Sequence, residues 1–117
     1  MVETCAAFGV AADRREGHAG CWCDPDGEAP RKIGALGIRV ERGVSYHGIA
    51  LNVAPDLADF DLIDPCGMPG VASTSIAVEL AASGATASPA DVERAAWIFA
   101  RALATTLGTG LSGDAGP

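Results

Sequence analysis

The chain has 117 residues, 49% of them apolar, and a formal net charge of −7. That is one domain's length, and folding at this size buries roughly 65% of the unfolded surface. Seven arginines and a single lysine, Lys32, offer no basic patch for phosphates, which excludes a nucleic-acid binder; no run of 18 apolar residues exists, which excludes a spanning helix.

From the N-terminus, residues 2–10 read as a short helix ending near Gly9, with no visible cap at its start. The opening stretch is acidic and lacks a basic region followed by an apolar run, so no signal peptide is expected. Four cysteines without a secretory signal then point to reduced thiols in a cytoplasmic protein rather than to a disulfide framework. DRREGHAG, 13–20, is polar and Gly-rich, and reads as a loop. GCWC, 20–23, reads as a short strand, and DPDGEAP as a turn-rich connection.

IGALGIRV, 33–40, and SYHGIALNV, 45–53, read as two strands joined through ERGV, where Gly43 suits a hairpin turn. By the two-residue period Leu36, Ile38 and Val40 share one face. His47, Ile49, Leu51 and Val53 share a face of the second strand, and Tyr46, Gly48, Ala50 and Asn52 the other. Gly48 and Ala50 leave that second face nearly bare, and glycine inside a strand marks close approach by a ligand or another backbone.

PDLADFDLI, 55–63, reads as a turn of helix running into the DPCGMPG loop, 64–70. STSIAVELAASG, 73–84, reads as a helix capped by Ser73 or Thr74 and stopped at Gly84. SPADVERAAWIFARALATTLG, 88–108, carries the clearest signals: Ser88 as cap, Pro89 at the first helical position, Asp91 three after the cap and Gly108 past the end. Val92, Ala95, Phe99, Ala102, Leu103 and Leu107 form its expected buried stripe. Residues 109–117 are expected to be a disordered tail.

Cys66 stands between Pro65 and Gly67, in a tight loop that holds one sulfur in a defined place. Four roles fit such a thiol: nucleophile, metal ligand, disulfide partner, or none. Free thiols have a pKa near ~8.5, and a nearby ammonium stabilises the thiolate. The chain's only lysine, Lys32, opens a buried-looking strand, where a charge without a task is out of place; the bland alternative is a solvated lysine unrelated to the cysteine. His18, Cys21 and Cys23 spell H-x2-C-x-C, to which Cys66 adds a fourth zinc donor. Two small core residues flanking Trp22 give the same pattern. His47 is either a hydrogen-bonded structural histidine or a neighbour of the Cys66 thiolate, and Asp59, Asp61 and Asp64 read as acidic surface.

Taken in order, RKIGALGIRV, RGVSYHGIALNV with PDL close behind, Phe60-x-x-Ile63-x-Pro65-Cys66-Gly67 and the STS-led helix resemble the C-terminal half of lipoyl(octanoyl) transferases, members of the lipoate- and biotin-ligase superfamily. The resemblance covers residues 1–108. It implies an α/β fold of the α+β type, incomplete, with a mixed sheet and flanking helices. It implies an acyltransferase that takes octanoate from acyl carrier protein onto Cys66 as a thioester and passes it to a lysine of a lipoyl domain, in 2-oxoacid dehydrogenase subunits or the glycine-cleavage H protein. On this resemblance Lys32 lowers the cysteine's pKa and shuttles protons. Ala35, Leu36 and Gly37 with Gly48, Ile49 and Ala50 cradle the acyl chain, and His47 and Asn52 lend support. No cofactor, metal, nucleic acid or membrane is implied. The family's N-terminal half, with its Arg-Gly-Gly segment and a second Tyr-His-Gly, has no counterpart in this chain. An inactive remnant of such an enzyme and a small zinc- or thiol-binding protein are the alternatives.

Overall fold

The computed structural model describes residues 1–63 and 70–112. A short helix, α1 (Val2–Ala7), is followed by four strands: β1 (Asp13–Arg15), β2 (His18–Cys23), β3 (Arg31–Glu41) and β4 (Val44–Leu51). A 3-10 turn over Leu57–Leu62, the two-residue strand β5 (Ala72–Ser73) and the helices α2 (Ile76–Ala81) and α3 (Val92–Thr106) complete the order. Strands β1 to β4 pair antiparallel in sequence order, and β5 joins β3 in parallel. The fold is therefore α+β with a mixed sheet and flanking helices.

The alternating apolar runs form β3 and β4, as their period predicts. Glu41 pairs with Val44, so the connection is the two residues Arg42 and Gly43, both at positive φ (51° and 79°). That is the backbone of a type I′ hairpin, whose twist matches the flanking strands. The loop expected over 13–20 is instead the β1–β2 hairpin, in which Arg15 pairs with His18 across Glu16 and Gly17. Three polar residues give β1 no readable alternation, yet charge is what an edge strand tolerates.

One irregularity positions everything below. Trp22 pairs with Lys32, but Cys21 pairs with Gly34, so β3 carries one extra residue, Ile33, opposite the Cys21–Trp22 step. This is a β-bulge. It turns Ile33 towards the helices, where it is fully buried with Cys5, Cys21, Cys23, Ile76 and Leu80. Beyond it the alternation is shifted by one. Lys32 thereby shares a face with Ala35 and Gly37, whereas unbroken alternation would have grouped it with Leu36.

Helix α2 is capped by Ser75, whose Oγ accepts from the Val78 N–H at 3.2 Å. Ser73 and Thr74, the expected caps, are committed elsewhere: Ser73 lies in β5, and buried Thr74 donates its hydroxyl to Glu79 at 2.6 Å. Glu79 also receives Arg31 through two bonds, Nε at 2.8 Å and Nη2 at 2.9 Å, tying α2 to the start of β3. Helix α3 begins as expected, with the Ser88 N–H donating to Asp91 Oδ2 at 2.9 Å and Pro89 opening a 3-10 turn. Gly108, at φ 66°, ends it.

The stripe expected to be buried on α3 is mostly not. Ala95 and Ala104 are buried, and Phe99 and Ala102 half-buried; Val92, Leu103 and Leu107 are exposed. The helix rests on α1, with Arg94 4.5 Å from the centroid of the Phe8 ring. Between it and the sheet runs an open groove of about 340 Å³ lined by Ile49, Leu51, Val53, Val92, Ala95 and Phe99. Of the tail expected over 109–117, residues 113–117 lie outside the described residues. Thr109 to Ser112 are exposed and carry no helix or strand. No described helix is long and apolar enough to cross a membrane.

Candidate active site

Lys32 sits where three strands meet. It pairs with Trp22 of β2 and with Ser73 of β5, and its carbonyl accepts from the Thr74 N–H at 3.0 Å. It is 6% exposed. Its Nζ lies 5.6 Å from the centroid of the Trp22 ring. The guanidinium of Arg15 lies 5.1 Å from the same centroid, and the His18 ring meets it edge-on at 5.8 Å.

The two segments expected to cradle an acyl chain lie side by side, in register: Ala35 with Ala50, Leu36 with Ile49, Gly37 with Gly48. Their side chains divide between the faces of the sheet. Leu36 turns towards α3, in a groove with Phe99, Ala102 and Leu103, and Ile49 borders the α3 groove as well. Ala35, Gly37, Gly48 and Ala50 make the other face. There a Cβ added at Gly37 or Gly48 would meet nothing within 4 Å. An open groove of about 540 Å³ follows this bare face, bordered by Ile38, Arg39 and His47. Because of the bulge, Lys32 stands at the head of that same face.

His47 departs from the position its strand pattern gives it. Its φ is +68°, in the left-handed region. Its ring lies 4.8 Å from that of Tyr46, its chain neighbour, whereas successive side chains of a regular strand point to opposite faces. His47 is exposed, not set on the apolar face with Ile49, Leu51 and Val53. It pairs with Ile38, six residues along β3 from Lys32. That is roughly 20 Å of strand, so the fold does not bring His47 and Lys32 together.

Asn52 is a strut. Its Nδ2 donates to the Thr74 carbonyl at 3.0 Å, its N–H to Ile33 O and its carbonyl accepts from the Ile76 N–H, both at 2.9 Å. It thus fastens the end of β4 to the strand after Gly70 and to the first turn of α2. Asp59 and Asp61 are exposed on the 3-10 turn, as a surface reading requires. Asp64, Pro65, Cys66 and Gly67 lie outside the described residues.

The cysteines of β2 turn away from any shared site with His18. Cys21 and Cys23 are buried among Cys5, Ile33 and Ile76, whereas His18 lies on the Trp22 side and its Nδ1 is 2.9 Å from Glu16 O. Among the described residues no three His, Cys, Asp or Glu side chains converge on a metal position. The Cys23 thiol is pushed up to about 11, by burial first and the Glu79 carboxylate second. Cys5, which pattern reading passed over, is pushed far above the ordinary thiol range by its hydrogen bond to Cys21 and by burial. Neither is a thiolate at neutral pH.

The chain thus carries a mixed sheet with flanking helices, a buried lysine at one strand end and a glycine-lined face beside it. Residues 1–97 match the lipoyl protein ligase A/B catalytic domain, and the chain belongs to that family. It is 47% identical over 81 residues to an octanoyltransferase of Salinispora tropica, an alignment covering 68% of this chain and 38% of that protein. The octanoyltransferase of Desulfovibrio desulfuricans is 58% identical over 76 residues (65% and 30%), and that of Acidiphilium cryptum 51% over 77 (66% and 34%). The aligned part is thus about a third of the length of these relatives.

Proposed function

We propose that this chain is the part of an octanoyltransferase that bears the nucleophile, working in lipoate biosynthesis in the cytoplasm, with the catalytic portion running to residue 108. The observation that carries the reading is the placement of Lys32 on the same face as the register-paired Ala35–Gly37 and Gly48–Ala50 segments. A charged amine on the same face as an open groove floored by small residues suits a substrate with a reactive thioester and a hydrocarbon tail. The octanoyltransferases it resembles support an eight-carbon acyl group; the proposed donor is acyl carrier protein, and the proposed acceptors are lipoyl domains of 2-oxoacid dehydrogenase complexes and the glycine-cleavage H protein.

In this reading the Cys66 thiolate attacks the carrier's thioester carbonyl. A new carbon–sulfur bond forms at Cys66, the old one breaks, and the carrier leaves as a thiolate that takes up a proton. Thioester replaces thioester, so the step is nearly balanced in energy. The amine of the acceptor lysine then attacks the Cys66 thioester, an amide forms, and the Cys66 sulfur leaves. Lys32 holds the thiolate by charge and relays the proton lost by the attacking amine. One site serves two protein partners in turn, which predicts ping-pong kinetics. No step calls for a cofactor or metal.

The test is an intact mass of the purified chain after incubation with octanoyl acyl carrier protein, beside Cys66→Ser. One octanoyl group, removable by hydroxylamine and lost in Cys66→Ser, supports the reading. An adduct that persists in Cys66→Ser sinks it. The open groove under α3 favours a second reading, a remnant that binds but does not turn over. A folded chain that takes up no octanoyl group supports that one instead.

A further inference from the structure

We propose that Gly20 and Trp22 form a slot that fixes the Lys32 ammonium, making both positioning residues for the acyl transfer. The inference rests on the assignment of Lys32 as the lysine that serves Cys66. Gly20 and Trp22 lie two apart on β2, on the face from which Lys32 is reached. Trp22 supplies one wall: its ring is 1% exposed, and the ammonium stands within the distance at which an aromatic face attracts a cation. Gly20 supplies the other by lacking a side chain. A Cβ there would lie 2.8 Å from Lys32 Cε and would also collide with the Gly34 carbonyl oxygen. At φ +119° the position is also one that residues with side chains rarely adopt.

The slot leaves the four-carbon stem of Lys32 little freedom, so the charge is delivered to one place at small entropic cost. The indole N–H finds no acceptor among the described residues. Trp22 therefore acts here through its ring face, and phenylalanine can replace it without breaking a hydrogen bond made by those residues. Among the described residues, Arg15 from β1 and His18 from β2 also lie against the ring.

The experiment follows the rate of Cys66 alkylation by iodoacetamide against pH, read by mass spectrometry of the Cys66 peptide, in the full chain and in folded variants checked by circular dichroism. Lys32→Met is expected to move the profile to higher pH. Trp22→Leu should move it in the same direction and slow alkylation at pH 7 by roughly three- to tenfold, the range of a cation–π contact. Gly20→Ala also presses on the Gly34 carbonyl, so it is made in the Lys32→Met background too, where a shift caused through the slot should vanish and one that persists assigns Gly20 to the sheet alone. Trp22→Phe should stay within about twofold of the parent because it keeps the ring. Trp22→Leu added to Lys32→Met should change nothing further, because the slot acts only through the amine. Should Trp22→Leu not fold, Trp22→Met, a flexible filler of similar bulk, takes its place. If Lys32→Met shifts the profile and the non-aromatic variant does not, the slot is wrong while the site stands. If Lys32→Met leaves the profile unmoved, the assignment of Lys32 fails and the slot falls with it.

Discussion

Lys32 is buried, with the Trp22 ring near its ammonium and the Gly20 backbone close to its stem. A guanidinium is wider than an ammonium and stays protonated, so it can keep the charge but cannot relay a proton. Lys32→Arg should keep the charge yet lower acyl transfer, completed where necessary with the family's missing portion, by about a hundredfold, the scale of one lost acid–base group. A rate within a few-fold of the parent would remove the proton-relay role. The core thiols behave differently. Cys21→Ser and Cys23→Ser each place a hydroxyl among apolar neighbours, at a cost of about 1–3 kcal/mol. Thermal melting should register that cost, while octanoyl uptake per folded molecule stays at the parent level. At this scale the sequence was informative where a residue type was rare: one lysine, and one cysteine bracketed by proline and glycine. Trp22 was visible as lying opposite the two sulfurs. Its contact with Lys32 was not, because that depends on a pairing between strands ten residues apart.

At the scale of elements, the bulge at Ile33 decides which side of the sheet carries the chemistry. The two cradle segments came from the resemblance alone, whereas alternation located β3 and β4. It could not show an extra residue, because Ile33 and Gly34 read as one apolar stretch whichever way they point. The backbone at His47 is hidden in the same way: a positive φ inside a strand leaves no mark on the hydrophobic pattern. The hairpin was legible from Gly43 but short by two residues, since Glu41 and Val44 are themselves paired. Arg42 occupies the first left-handed position of that turn, where asparagine is the better fit. Arg42→Asn should stabilise the protein by about 0.5–1 kcal/mol, seen as a higher melting temperature with no change in octanoyl uptake.

The joint between β3 and α2 depends on pH in a direction that can be worked out. The Arg31 hydrogen bonds, helped by Thr74, hold the Glu79 carboxyl below the usual carboxylate range, against the opposing pull of burial. A carboxyl whose native pKa is depressed contributes its stability above the unfolded value of about 4.3 and loses it as pH falls through the native value. The parent should therefore lose stability as pH falls below about 5, and Glu79→Gln should lose less over the same fall while starting lower at pH 7. Parallel acid curves for the two proteins would show that the Arg31–Glu79 pair contributes nothing measurable.

At the scale of the whole molecule the apolar surface is unevenly covered. Leu36, Ile38, Val40, Val44 and Ile49 are exposed along the hairpin, and Val92, Leu103 and Leu107 along α3. Leu36, Ile38 and Val40 share one face of β3 by the two-residue period, so they form a run rather than scattered single residues. Such patches drive association, and a chain matching about a third of its relatives' length has few elements with which to cover them. The net charge of −7 works against contact between copies, but only over the distance that salt permits. At 0.1 M ionic strength the screening length is about 10 Å, and at 1 M about 3 Å. Sedimentation should therefore show a monomer at low salt and low concentration that associates as salt is raised, the reverse of a complex held by ion pairs. Ile38→Lys with Val40→Lys, on exposed positions of β3, should weaken the association without changing the circular dichroism. Association that weakens with salt would place the contact on charged surface and leave the hairpin out of it.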